Sequence, residues 1–122
     1  MLSRFVTAAA ALSIATSASA QWIPGMEITG QQVQVQTNGV INTITFERDG
    51  VAHISSPSGA TVVDATWTAA NGKLCLQTAT TADCYPYAAP FTARAPVTLR
   101  SDCNMISRWT ALSTAVAPGE RG

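Results

Sequence analysis

Three cysteines, Cys75, Cys84 and Cys103, and one histidine, His53, are the side chains whose types could do chemistry. Cys75 and Cys84 stand in the stretch WTAANGKLCLQTATTADCY, with eight residues between them. In an oxidising compartment such close thiols pair. One bridge uses two of the three, so three pairings are open. Proximity favours Cys75–Cys84. Leu74-Cys75-Leu76 reads as one strand and Cys84 to Tyr87 as the start of the next. A hairpin pivoting at Ala79-Thr80 sets the two cysteines opposite each other, within bridging range. Cys103 is then left over as a free thiol: buried and inert, a point of dimerisation, or the true partner of one of the other two. A zinc site of three thiols and His53 lacks CxxC and HxxxH spacing. No metal and no cofactor are therefore expected.

His53 lies in Val51-Ala52-His53-Ile54, a strand pattern that turns Ala52 and Ile54 one way and His53 to solvent. A hydrolase reading would pair it with Ser55, two residues on and on the same face, and with an aspartate to orient the ring. No GxSxG elbow or oxyanion donor accompanies them, so no catalytic residue is assigned. Glu47 and Asp49 flank a turn and suit its chemistry. Gly25 and Gly30 precede a strand rather than a helix, so no phosphate or dinucleotide loop is present. An EF-hand pattern is absent as well.

The large aromatics are Trp22, Trp67, Trp109, Phe46, Phe91, Tyr85 and Tyr87. In a small barrel inward aromatics fill the core, and Trp67 is expected there. Tyr85-Pro86-Tyr87 on a rim would suit a sugar, a peptide or a partner. Tyr85, Tyr87 and Trp22 are the candidate binding surface.

These residues must be positioned by a small domain. Residues 1–20, MLSRFVTAAAALSIATSASA, have one early positive charge, a short Ala-rich apolar run and Ala18-Ser19-Ala20. That is the form of a signal peptide cleaved after Ala20. The apolar run is too short to span a bilayer, for which about 20 residues are needed. Export to the periplasm or beyond is expected, with no membrane insertion of the mature chain. Beyond residue 20 there are six basic side chains against seven acidic ones, with no like-charge run. That argues against nucleic acid or an anionic surface as partner.

Residues 21–113 read as one all-β domain. Val33 and Val35 alternate with glutamines. Asn38-Gly39 and Asp49-Gly50 are tight turns, so residues 31–55 predict a three-stranded meander. Residues 61–67, 73–78, 84–87, 91–94 and 97–100 predict further short strands, separated by turn signals that include Asn71-Gly72. Residues 102–113 suit either a helix face or a last strand. A closing strand is favoured, because an open barrel leaves two edges to protect. The expected architecture is a small antiparallel barrel or flattened sandwich of about eight short strands. A disordered tail is expected over residues 114–122.

The combination of leader, "IPG", "TFERDGVA", "TWTAANGKLCL" and "DCYPY" resembles small exported proteins of unknown function in Gram-negative proteobacteria. The carrying residues are Trp67, Gly72, Leu74, Cys75 and Cys84. The resemblance implies a small β-barrel and brings no activity with it. A more distant likeness is to lipocalin-type barrels and bacterial barrel inhibitors of secreted proteases, which carry Gly-x-Trp early and an Arg late. Here Gly25-Met26-Glu27 lacks the Trp, although Arg108 is late.

The functional expectation is a monomeric, non-enzymatic binding protein for a small apolar ligand or an envelope protein. Dimerisation through Cys103 is the variant on that state. The alternatives are an inhibitor of an envelope or secreted hydrolase, inserting Gln21–Gly25 into its target, and a small hydrolase built on His53.

Overall fold

A computed structural model of the chain describes residues 21–115. The expected signal peptide, and residues 116–122 of the expected tail, lie outside the described residues. Eight strands follow one another: β1 Gln32–Thr37, β2 Val40–Phe46, β3 Val51–Ser55, β4 Val62–Ala70, β5 Lys73–Gln77, β6 Ala82–Pro86, β7 Val97–Arg100 and β8 Ile106–Ala111. They form one antiparallel sheet, ordered β6-β5-β4-β3-β2-β1-β8-β7, curled into a nearly closed barrel. Among the described residues there is no helix.

Local sequence explains the meander. Asn38-Gly39 and Asn71-Gly72 have positive φ at both positions and join Thr37 to Val40 and Ala70 to Lys73 in two-residue turns. Such turns match the twist of the strands they connect. Period-two alternation then sends Val33 and Val35, Ile44 and Phe46, Ala52, Ala65, Leu74, Trp109 and Ala111 into the core. The segment left ambiguous between helix and strand is β8. It pairs with β1 on one side and β7 on the other, which brings the end of the domain back to its beginning.

Between Pro86 and Val97 the expected strand over 91–94 is not formed. Pro90 and Pro96 bracket this stretch, and Arg94 takes a positive φ of 67°. Phe91 is buried and gives its N–H to the Glu27 carboxylate, while Arg94 N–H bonds to Ala111 C=O. These backbone groups are committed outside any ladder. A loop over 87–96 results.

The barrel's ends differ. At the end where β1 starts, residues 24–30 coil into a tight plug. Ile28 is fully buried, and Gly30 N–H bonds to Phe46 C=O. Gly25 makes the plug possible: its φ is +92°, and a Cβ there would lie 3.0 Å from the Trp67 ring. The chain stays attached at this end through Ala115, whose N–H donates to Glu27 C=O at 2.8 Å. Thr114 and Ala115, placed by expectation in the tail, are half-buried.

The seam lies between β6 and β7. Cys75 and Cys84 face each other across β5 and β6, Cα atoms 4.0 Å apart, and are joined by a disulfide. This narrow pair turns the Cys84 N–H and C=O away from β5, toward the seam. The C=O accepts Asp102 N–H, and the N–H donates to the Asp83 side chain. The next residue with the same orientation, Pro86, has no N–H. The β6 edge is thus capped residue by residue, one of the ways proteins stop strand edges from pairing with other chains. Closing so short a loop stabilises the fold by about 2–3 kcal/mol.

Candidate functional site

The end opposite the plug is open. The strands bring Val35, Ile44, Ile54, Leu76, Tyr85 and Trp109 together as the walls and floor of a cup. Above them stands a polar ring of Thr37, Asn42, Thr78, Thr81 and Asp83, and the hollow measures about 190 Å³. Register sets this layering. Val35 faces Asn42 on β2 and Trp109 on β8, and Ile44 faces Ile54. The inward positions become polar only where the strands reach the mouth.

Trp109 is fully buried. Its ring stacks on Phe91 at 5.9 Å and meets the edge of Tyr85 at 4.8 Å. Its indole Nε1 is the one fully buried side-chain polar atom among the described residues without a hydrogen-bond partner. Such a group costs about 1–3 kcal/mol. In the ring, Thr37 bonds to Ser107 at 2.7 Å and Thr78 to Thr81 at 2.9 Å. Asn42 makes no side-chain hydrogen bond among the described residues. Asp83 Oδ1 accepts N–H groups from Cys84 at 2.9 Å and Cys103 at 3.2 Å. Partial burial pushes the Asp83 carboxyl up. Bonds from the Ser101 hydroxyl, the Cys103 thiol and those two backbone groups outweigh it and hold the carboxyl below its ordinary value.

Neither a family model, nor a curated protein, nor a solved structure matches this chain. The site must be read from its own geometry.

A second hollow, of about 400 Å³, lies under the 87–96 loop beside the seam. Although larger, it has few polar groups to orient a guest. Its walls are chiefly Pro, Ala, Val, Leu and Phe, and the Tyr87 hydroxyl at its edge is already committed. Ligand sites combine apolar walls with a few convergent polar groups. The cup meets that description and the loop groove does not.

The sequence-predicted candidates are dispersed. Tyr85 lines the cup and Trp22 is half-buried, but Tyr87 is only 3% exposed and presents no binding surface. Its hydroxyl donates to Glu27 Oε2 at 2.6 Å and accepts Gly25 N–H at 2.9 Å. Glu27, buried and not singled out by the sequence, is the centre of the plug. It also accepts Trp22 Nε1–H at 2.9 Å and Phe91 N–H at 2.8 Å. Trp67 is half-buried, edge-on to Phe46, and donates from Nε1 to Glu47 C=O.

His53 faces outward as its alternation requires. Its Nδ1 lies 2.9 Å from Asp64 Oδ1 across the β3–β4 pair, and its Nε2 lies 3.8 Å from Glu47. The orienting aspartate exists, but among the described residues no hydroxyl hydrogen-bonds the ring. Cys103 is exposed and unbridged near Asp83. The bond from its thiol to that carboxylate, and the carboxylate's charge, push the thiol up.

Burial pushes both tyrosines above the ordinary value of 10.0. At Tyr87 the bond to Glu27 and its charge add to the rise, and at Tyr85 a bond with Ser107 partly offsets it. A raised acid group stabilises the fold fully below its unfolded value. That contribution disappears as pH climbs from there through the folded value. Absorbance at 295 nm should therefore show less phenolate in the folded protein than in the unfolded chain at the same alkaline pH. Both tyrosines should then appear together when alkali unfolds it. Independent ionisation of both near pH 10, with the fold intact, would contradict this account.

Proposed function

We propose that the protein is an exported, non-enzymatic binding protein that holds a small, mainly apolar molecule in the open cup. The observation that carries this reading is the cup's composition: apolar walls and an aromatic floor beneath a polar ring. A dry apolar cavity of about 150 Å³ accommodates benzene, and the cup is somewhat larger at about 190 Å³. One ring or a short alkyl chain with a small polar head is the matching size. The exposed Val40, Val62 and Ile106 at the same end give the mouth an apolar lip.

The Cys75–Cys84 disulfide is compatible with an oxidising, extracytoplasmic location. Export with cleavage after Ala20 is the corresponding reading of residues 1–20. The inhibitor alternative has less support, because Gln21–Gly25 is not free to enter a target. Trp22 is tied to Glu27, and Gly25 is buried beneath Trp67.

Benzyl alcohol is a suitable neutral probe. Titrated into ¹⁵N-labelled protein at millimolar concentration, it should shift the Trp109 indole N–H resonance and the amides of Val35, Leu76 and Tyr85. The amides of the plug should stay in place. Shifts confined to the 87–96 loop, or none at all, would refute the cup as the site.

A further inference from the structure

The cup's polar ring has one charge. Of the residues that line it, Asp83 alone is ionisable near neutral pH, and no lysine, arginine or histidine joins it. The basic side chains near the mouth turn elsewhere. Arg108 alternates outward from the inward-facing Ser107 and Trp109 on β8, and Arg100 bonds to Asn104 in the β7–β8 turn. We propose that the cup selects small organic cations, a protonated amine on an aromatic or short aliphatic body, with Asp83 as the residue that determines specificity. This inference rests on the cup being the binding site.

Three observations support it. First, Asp83 is fixed rather than floppy: Oδ1 receives the Cys84 and Cys103 N–H groups, and the Ser101 hydroxyl and Cys103 thiol bond to the same carboxyl. A carboxylate held by backbone donors is oriented before the guest arrives, which lowers the cost of binding. It is also kept ionised by those donors. Second, the floor beneath it is aromatic. Tyr85, only partly buried and seated against Trp109, offers an ammonium the favourable quadrupole of its ring, in addition to apolar contact for the body. Third, the remaining polar groups suit a donor-bearing guest. Thr37, Thr78 and Thr81 present hydroxyl oxygens, and the amide of Asn42 is unengaged. An anionic guest such as a fatty acid would put its carboxylate against Asp83 with no cation to balance either one.

The test uses three probes of one shape: benzylamine, benzyl alcohol and benzoate. Dissociation constants are read from the Trp109 indole N–H shift at pH 7 and low salt. Benzylamine should bind roughly ten-fold more tightly than benzyl alcohol, the size of a charge-assisted hydrogen bond at a half-exposed site. Benzoate should bind more weakly than the alcohol. Added salt should shrink the amine's advantage and leave the alcohol unaffected. Asp83→Asn should bring benzylamine down to the affinity that benzyl alcohol shows for the same variant. Should that variant fail to fold, the three constants of the unaltered protein decide the matter. Equal affinities, or tighter binding of benzoate, would overturn the cation preference while leaving the cup intact as a site. Binding by none of the three would overturn the cup itself.

Discussion

Glu27→Ala should lower the melting temperature by roughly 15–30 °C, the largest effect expected of any single substitution in the plug. The reason is the number of groups that depend on one carboxylate. Trp22 Nε1, Tyr87 Oη and Phe91 N all donate to it, and all come from segments with no ladder partner to replace it. Removing it leaves buried donors unsatisfied, and the Tyr87 hydroxyl would retain only the Gly25 N–H. Losing such a network costs on the order of 3–5 kcal/mol. That is a large part of the ~5–15 kcal/mol that holds a domain together. Glu27→Gln keeps one acceptor oxygen but turns an NH₂ toward the remaining donors, so its loss should be intermediate. Thermal unfolding followed by circular dichroism separates the three proteins. In the Ala variant, amide exchange at Gly25 should quicken more than at Val35, because the plug opens before the sheet. A melting point within about 3 °C of the unaltered protein would mean that packing of Ile28 and Gly25, not the carboxylate, seats the plug.

The contrast between Glu27 and the cysteines shows what the sequence could reveal. Turn chemistry and alternation are local, so Asn38-Gly39, Asn71-Gly72 and the opposed Cys75 and Cys84 were legible directly. The closing strand over 106–111 was also favoured, though only because open edges are costly. Residues 91–94 misled because β-prone types there lie between two prolines, and the competing demand on the Phe91 N–H comes from Glu27, 64 residues away. Tyr87 was misplaced for the same reason. Tyrosine is common on binding rims and equally at home inside when its hydroxyl has a partner, and that partner was again distant in sequence. The cup left a fainter trace. Thr37, Asn42 and Asp83 are polar residues in the inward phase of their strands, near the ends that share the barrel's mouth. Finding them requires knowing which strand ends lie together, and that depends on the β1–β8 pairing.

Trp109 carries the second large effect, and two substitutions there should diverge. Trp109→Ala empties the floor of the cup and should cost about 3–5 kcal/mol, as for other buried aromatics cut to Ala. Trp109→Phe also loses volume, which by itself would cost about 1–3 kcal/mol. It simultaneously removes the unpartnered Nε1–H, whose burial costs about the same. The two nearly cancel, so Trp109→Phe should unfold within about 1 kcal/mol of the unaltered protein in urea. A Phe there keeps the Tyr85 and Phe91 ring contacts, so the fold has little reason to prefer indole. If urea unfolding bears this out, the unpartnered indole N–H is a group that stability does not select, carried by a residue that lines the cup. The proposed role of the cup then predicts that Trp109→Phe weakens benzyl alcohol binding several-fold while leaving the fold in place. Should Trp109→Phe instead cost as much as Trp109→Ala, the indole is a packing element and the floor of the cup has no role beyond the core.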